Sequence, residues 1–400
     1  LPTHGFGSFC SATQAAGGAT TTIGRERAVN EALVKDVDAF VAELLAGLED
    51  IPAYYAHMGP ANARGPAPVD LTPPRPADAE EIAARLADGE WVVDLRSRVA
   101  FAEGHVAGSL NFEAEGQLAT YLAWLLPWGK PVTLLAETPA QLADAQRELV
   151  RVGIDRPAAG ATGSPTDWTR PHERPRTFPR GTFADLAAVQ VAAARPPAAQ
   201  LAPQDGVVVL DVRRDSERDA GWIKGSVHIP LHHLRERLPE IPDGTVWVHC
   251  AGGMRAAIAA SLLDAAGREV VAVDDGFAAA RDAGLPMARV TAAEAAERAG
   301  SKAVFLDVRE PDEWATGHAP GAVLAPLSSL TAGEPLPQAA QGRPVVAICR
   351  SGKRSREAAA LLTARGGTDV VDVVGGMRAW VEAGLPVVAE PGAGTPGRPR

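Results

Sequence analysis

Short apolar runs recur along this chain, and between them apolar residues fall at helical spacing. Val-Val-Asp94-Leu-Arg96, Val-Leu-Asp211-Val-Arg213 and Phe-Leu-Asp307-Val-Arg309 read as three endings of one kind of buried strand. Thr-Val-Trp-Val-His (245–249) and Pro-Val-Val-Ala-Ile (344–348) are two further runs of strand length. The stretches Asp78–Ala87, Phe183–Ala194, Thr291–Ala299 and Ala256–Ala266 carry helix-forming patterns. Strands alternating with helices predict an α/β fold, in units built around a largely parallel sheet.

The pattern is an internal repeat. Ten positions after each strand-end aspartate comes a glycine (Gly104, Gly221, Gly317), and fourteen after comes another (Gly108, Gly225, Gly321). The segments Gly-His-Val-Ala-Gly-Ser, Gly-Trp-Ile-Lys-Gly-Ser and Gly-His-Ala-Pro-Gly-Ala are versions of one turn, and the last two copies close with Gly-Leu-Pro. Three tandem domains follow, over 77–170, 180–288 and 289–390. Proline- and arginine-rich linkers are expected at 64–77 and 170–181, with a disordered tail over 391–400.

Two copies place a cysteine at the end of a strand and before a helix. Cys349-Arg-Ser-Gly-Lys-Arg-Ser355 follows Pro-Val-Val-Ala-Ile, and Cys250-Ala-Gly-Gly-Met-Arg255 follows Thr-Val-Trp-Val-His. A loop at that place turns free backbone N–H groups and the positive end of the helix dipole into its bowl. That field stabilises a thiolate. Arg350, Lys353 and Arg354 add positive charge, and Lys353 is one of only five lysines in the chain, so the density is not background. Cys349 and Cys250 are therefore the expected nucleophiles; the Cys250 loop, otherwise Ala, Gly and Met, reads as suited to a second cycle with a less charged sulfur donor, as a relay of sulfur from Cys349, or as a fading copy. Arg350, Ser351, Gly352, Lys353, Arg354 and Ser355 are expected to hold the anion at the first, and Gly253 and Arg255 at the second. The pairs Asp307–Arg309 and Asp211–Arg213 read as structural salt bridges supporting the loops rather than as acid–base groups. His249 precedes Cys250, but strand alternation turns it away.

In both loops the arginine lies five positions after the cysteine, with four residues between. A phosphatase loop is one residue longer, to wrap a tetrahedral phosphate, so a phosphatase or arsenate reductase is disfavoured. These segments resemble the active-site loops of rhodanese-type sulfurtransferases, and the resemblance covers about 77–390. It implies a cysteine persulfide cradled by the amides of 350–355, with thiosulfate or a small thiol persulfide as donor and a thiol or cyanide as acceptor. In the first copy Leu-Leu-Ala136-Glu-Thr-Pro-Ala-Gln141 stands where the loop belongs, with alanine for cysteine and glutamine for arginine. That copy is expected to be catalytically dead and kept for packing or docking. A second reading of the whole is a non-catalytic docking or sulfide-sensing arm for a metal-dependent partner domain.

Composition narrows the rest. Among 400 residues, 46% are hydrophobic and 22% charged, as in a globular chain, and the net charge of −10 argues against nucleic acid as a partner. No apolar run approaches a membrane span, and no signal segment is evident. Three scattered cysteines do not form a disulfide framework, so a reducing cytoplasm is expected. Residues 1–70 resemble the C-terminal end of a metallo-β-lactamase fold of the persulfide dioxygenase-like kind, on the segment Leu1-Pro-Thr-His4-Gly-Phe-Gly-Ser-Phe-Cys10 and the later Asn62. An amphipathic helix is expected over 28–48. His4 alone cannot hold a metal, and the His-x-His-x-Asp-His run is absent. No metal or cofactor is expected in this chain, with iron only in a longer native protein. The start at Leu1 fits the back end of a longer fusion.

Overall fold

The computed structural model describes residues 22–46, 50–65, 68–193, 206–299, 303–367 and 369–389. The chain divides into two compact parts, Leu1–Pro66 and Ala67–Arg400.

In the first part the single helix expected over 28–48 is three, at Ile23–Val29, Glu31–Val34 and Val37–Ala46, with another at Tyr55–Arg64. The breaks fall where polar side chains compete with the helix. Asn30 Oδ1 accepts the amide of Ala32 at 3.1 Å, and Asp36 Oδ1 that of Ala39 at 3.0 Å, each starting a new turn. His4 and Cys10 lie outside the described residues.

Among the described residues the second part holds three parallel sheets, one per repeat. The first has the order β2-β1-β3-β4, with β1 Trp91–Asp94, β2 Leu110–Asn111, β3 Val132–Ala136 and β4 Ala159–Thr162. The second has the order β5-β9-β8-β6-β7, with β5 Arg180–Gly181, β6 Val207–Asp211, β7 Val227–His228, β8 Thr245–His249 and β9 Val270–Val273. The third has the order β10-β14-β13-β11-β12, with β10 Arg289–Val290, β11 Val304–Asp307, β12 Val323–Leu324, β13 Val345–Ile348 and β14 Val370–Val373. Helices cover both faces, which is why the central strands are apolar throughout rather than alternating. Cys250 and Cys349 follow the carboxyl ends of the middle strands β8 and β13.

The repeat signature has a physical cause. In each copy the strand-end aspartate accepts the arginine guanidinium two residues on, Asp94–Arg96 at 2.6 Å, Asp211–Arg213 at 2.7 Å and Asp307–Arg309 at 2.6 Å. The same guanidinium donates to the carbonyl of Gly104, Gly221 or Gly317, at 2.6, 2.8 and 2.8 Å. The second glycine of each copy adopts φ of 86°, 79° or 72°, a left-handed turn that glycine enters without strain. Each buried ion pair thus ties a strand end to the turn that follows it.

Part of each expected linker is docked. Ala77 donates to the Gly160 carbonyl and Gly160 to that of Arg75, both at 2.9 Å, so 75–77 forms an edge beside β4, where proline is tolerated. Arg176 exchanges backbone hydrogen bonds with His105 at 2.8 and 2.9 Å. The first two repeats share one apolar cluster, which includes Phe112 and Leu122 of one and Ile258 and Leu263 of the other. The helix Met254–Ala265 is buried from Arg255 to Asp264 because the first repeat covers its outer side. Ser261 Oγ accepts the Asn111 amide at 3.0 Å, and Asp264 meets His105 at 3.2 Å and Arg176 at 2.8 Å. No described helix is long and apolar enough to cross a membrane.

Candidate functional site

Cys349 is 1% exposed and lies at the floor of its loop, packed on apolar neighbours yet turned toward an amide. Its Sγ accepts the Gly352 N–H at 3.2 Å. Gly352 is the residue before the helix Lys353–Ala364 and has φ of 87°. A Cβ there would stand 2.9 Å from Arg289 Nη2 and 3.0 Å from the Gly375 amide. The loop is held from behind as well. Met377 donates to the Cys349 carbonyl at 2.7 Å and Arg378 to that of Arg350 at 3.2 Å, both from the helix Gly376–Glu382. Arg289 Nη2 donates to the Gly352 carbonyl at 3.0 Å while the same guanidinium is paired with Asp372 at 2.7 Å.

Of the expected anion ligands, Arg350, Ser351 and Lys353 stand exposed at the rim. Arg354 is clamped by Glu313, from the helix Pro311–Ala315, through two bonds of 2.6 and 2.7 Å. That pairing holds the Glu313 carboxyl below its usual range and raises the arginine. The Ser355 side chain turns away from the cup. It is fully buried and its hydroxyl points to Asp372 Oδ2 at 3.3 Å, because the first turn of the helix carries it toward β14.

The Cys250 loop repeats this geometry. Cys250 is 2% exposed, and its Sγ accepts the Gly253 amide at 3.2 Å. Glu217, from the helix Asp215–Asp219, grips Arg255 at 2.6 and 2.7 Å. Burial alone would raise the Glu217 carboxyl, but its bonds to Arg255 hold it down at about 2, and Arg255 is raised in turn. His249 lies on the opposite face of β8, against Phe183 and Phe277, with neither ring nitrogen bonded. Burial lowers it to about 4, so it is neutral there.

The first repeat has neither part. Ala136 ends β3, and Gln141 is spent on its own loop, accepting the Glu137 amide at 2.8 Å and donating to the Leu95 carbonyl at 3.2 Å. Ala100 occupies the position of Glu217 and Glu313, six residues after the strand-end aspartate. The two glutamates went unnoticed in the sequence. Their recurrence only in the copies that keep cysteine and arginine was the signal.

Residues 78–169, 197–283 and 291–383 each match the family described as Rhodanese-like domain. Among curated proteins, the probable adenylyltransferase/sulfurtransferase MoeZ of Mycobacterium tuberculosis is 41% identical over 83 residues, which are 21% of each chain. The matched segment thus spans about a fifth of that relative's length. A sulfurtransferase of Allochromatium vinosum is 37% identical over 89 residues, 22% of this chain and 81% of that protein. A rhodanese-related protein of Thermoplasma volcanium, with a solved structure, is 34% identical and covers 26% of this chain and 98% of its own, at a TM-score of 0.23. With three matches that together take in most of its length, this chain belongs to the rhodanese-like domain family.

Proposed function

We propose that the chain is a sulfurtransferase working through a cysteine persulfide, with Cys349 as a nucleophile. The observation that carries this is the Gly352 amide directed at Cys349 Sγ at 3.2 Å, in a loop whose Arg354 is fixed by Glu313. An amide in that position stabilises a thiolate and, after transfer, the terminal sulfur of a persulfide. In the first half-reaction the thiolate attacks the outer sulfur of thiosulfate or of a small thiol persulfide. The sulfur–sulfur bond of the donor breaks, and sulfite or thiolate leaves with the electron pair. Arg350, Lys353 and Arg354 offset the anionic charge at the rim. In the second half-reaction an acceptor thiolate or cyanide takes the outer sulfur and restores the cysteine. Cys250 runs the same cycle in the second repeat, and the first repeat packs without chemistry.

The reaction as proposed needs no cofactor. For residues 1–70 we propose kinship with the C-terminal end of a metallo-β-lactamase fold, supported by Pro-Thr-His4-Gly-Phe-Gly-Ser-Phe-Cys10. The test of the main reading is incubation with thiosulfate or glutathione persulfide, followed by peptide mass spectrometry. A one-sulfur adduct on a loop cysteine, lost on adding cyanide, is expected. Folded protein that gains none on either cysteine would remove the reading.

A further inference from the structure

The two loops have the same skeleton and different surroundings. Arg255 and Arg354 are gripped by their glutamates at identical distances, yet the Arg255 side chain is 9% exposed and that of Arg354 is 32%. The difference is made by the first repeat. Its helix Leu118–Leu125 brings Tyr121 and Trp124 over Arg255, the two rings stacked at 6.4 Å. What remains is a slot of about 10 Å³ between Tyr121, Trp124 and Leu125 of the first repeat and Arg214, His232 and Arg255 of the second. That is room for one water-sized group. Burial raises the Tyr121 hydroxyl and Arg255 opposes this; the ring meets the sulfur cup through Arg255, which lines the same slot.

The charges differ too. Between Cys250 and Arg255 the loop offers Ala251, Gly252, Gly253 and Met254. The acidic side chain beside that loop is Asp274, shared by Arg98 of the first repeat at 2.7 Å and Arg180 at 2.6 Å. At Cys349 an arginine–aspartate pair, Arg289 with Asp372, likewise backs the loop, so the difference lies in front, where Arg350 and Lys353 stand exposed.

We infer that the two cysteines are sorted by donor, Cys349 taking the thiosulfate dianion and Cys250 a small hydropersulfide or inorganic polysulfide, with Tyr121 of the first repeat as the specificity-determining wall. This rests on the sulfur-transfer reading. At Cys349 the thiolate forms a bond to the outer sulfur of thiosulfate, and sulfite leaves with the pair of the broken bond. At Cys250 the thiolate attacks the terminal sulfur of HS–S⁻ or of a small R–S–SH, and hydrosulfide or R–S⁻ leaves. Neither step needs an oxidant. A dianion with three sulfonate oxygens needs cations that are free at the rim. A compact donor needs none, and a narrow slot excludes anything larger.

The experiment uses the full chain with three donors offered separately: thiosulfate, disodium disulfide and glutathione persulfide. Sulfur added at each cysteine is followed in time by peptide mass spectrometry. Thiosulfate should load Cys349 at least about tenfold faster than Cys250, and disulfide anion should load Cys250 readily. Tyr121→Ala should speed loading of Cys250 by glutathione persulfide about tenfold, with Cys349 in the same molecule unchanged as the control of folding, while Tyr121→Phe should keep the wild-type pattern. Independently of the wall, Lys353→Ala combined with Arg350→Ala should slow thiosulfate at Cys349 and spare disulfide anion there. Equal loading of both cysteines by thiosulfate overturns the inference, as does a donor pattern unmoved by both sets of variants. If no donor loads either cysteine, the sulfur-transfer reading falls with it.

Discussion

Glu313 accepts hydrogen bonds from both terminal nitrogens of Arg354, and 96 residues earlier Glu217 does the same for Arg255 at the same distances of 2.6 and 2.7 Å. A bidentate pair fixes the plane of a guanidinium as well as its position. The arginine of the loop is therefore an aimed charge, held by the element that follows the Asp-x-Arg strand. That strand is itself locked by its buried ion pair, so sequence signature and reactive loop form one mechanical piece.

Loosening the clamp should cost rate rather than stability. Glu313→Gln keeps the shape and removes the charge, leaving Arg354 free to wander at the partly exposed rim. Sulfur loading of Cys349 is expected to fall about tenfold, because a charge displaced by a fraction of an ångström loses its grip on the developing anion. Thermal unfolding should be nearly unchanged, since a half-exposed ion pair contributes little. An unchanged loading rate would show that the clamp is ornamental.

Gly352→Ala should damage the loop through two effects. The residue has φ of 87°, and a Cβ would meet Arg289 Nη2 at 2.9 Å and the Gly375 amide at 3.0 Å. Left-handed backbone costs an ordinary residue about 1–2 kcal/mol, and the contacts push the amide away from the sulfur. Calorimetry should show a lowered Tm, and loading of Cys349 should drop while loading of Cys250 persists.

Acid should weaken the second repeat in a window set by His249. Burial lowers this imidazole from 6.5 to about 4, so the folded state keeps it neutral while the unfolded chain protonates it first. Its contribution is intact above pH 6.5 and is lost as pH falls toward 4, a cost of about 3 kcal/mol at the lower end. The carboxylates Asp211 and Glu217, held at about 2, lose their contribution only at lower pH, so the windows separate. Denaturant melts at pH 7, 5.5 and 4.5 should show the loss in the wild type and a smaller one in His249→Phe, which fits an apolar aromatic site.

Restoring the thiol to the first repeat should not restore chemistry. Ala136→Cys places sulfur at the end of β3, but Gln141 still closes that loop on its own backbone and Ala100 offers no carboxylate. No persulfide should appear on residue 136 with any donor. Adding Gln141→Arg and Ala100→Glu is the minimum set expected to change that, with adduct formation as the readout.

Much of the site was legible because its parts are local. A cysteine after an apolar run, glycines in the loop and an arginine five positions on occupy one strand–turn–helix, so spacing alone locates the cup. The Asp-x-Arg pair and its two glycines lie within fifteen residues and repeat three times, which made the domains visible. Glu313 escaped notice because it is 41 residues from the arginine it holds, and a surface glutamate on a short helix has no signature of its own. Arg289 was missed for the same reason, being 63 residues from the Gly352 carbonyl it supports. The direction of the Ser355 hydroxyl was not legible because adjacency in the loop does not say which way the first helical turn points.

Composition, periodicity and the repeat determined three α/β domains, two cysteine cups and a copy without its thiol, since each of these follows from neighbours along the chain. Only the folded arrangement decided that the copy without its thiol roofs the next one with Tyr121, that proline-rich connectors lie against sheet edges, and that two loops of like sequence face unlike surroundings. Those outcomes depend on which surfaces bury each other across a hundred or more residues. Packing of that kind is settled by shape and by desolvation in three dimensions, and no local pattern encodes it.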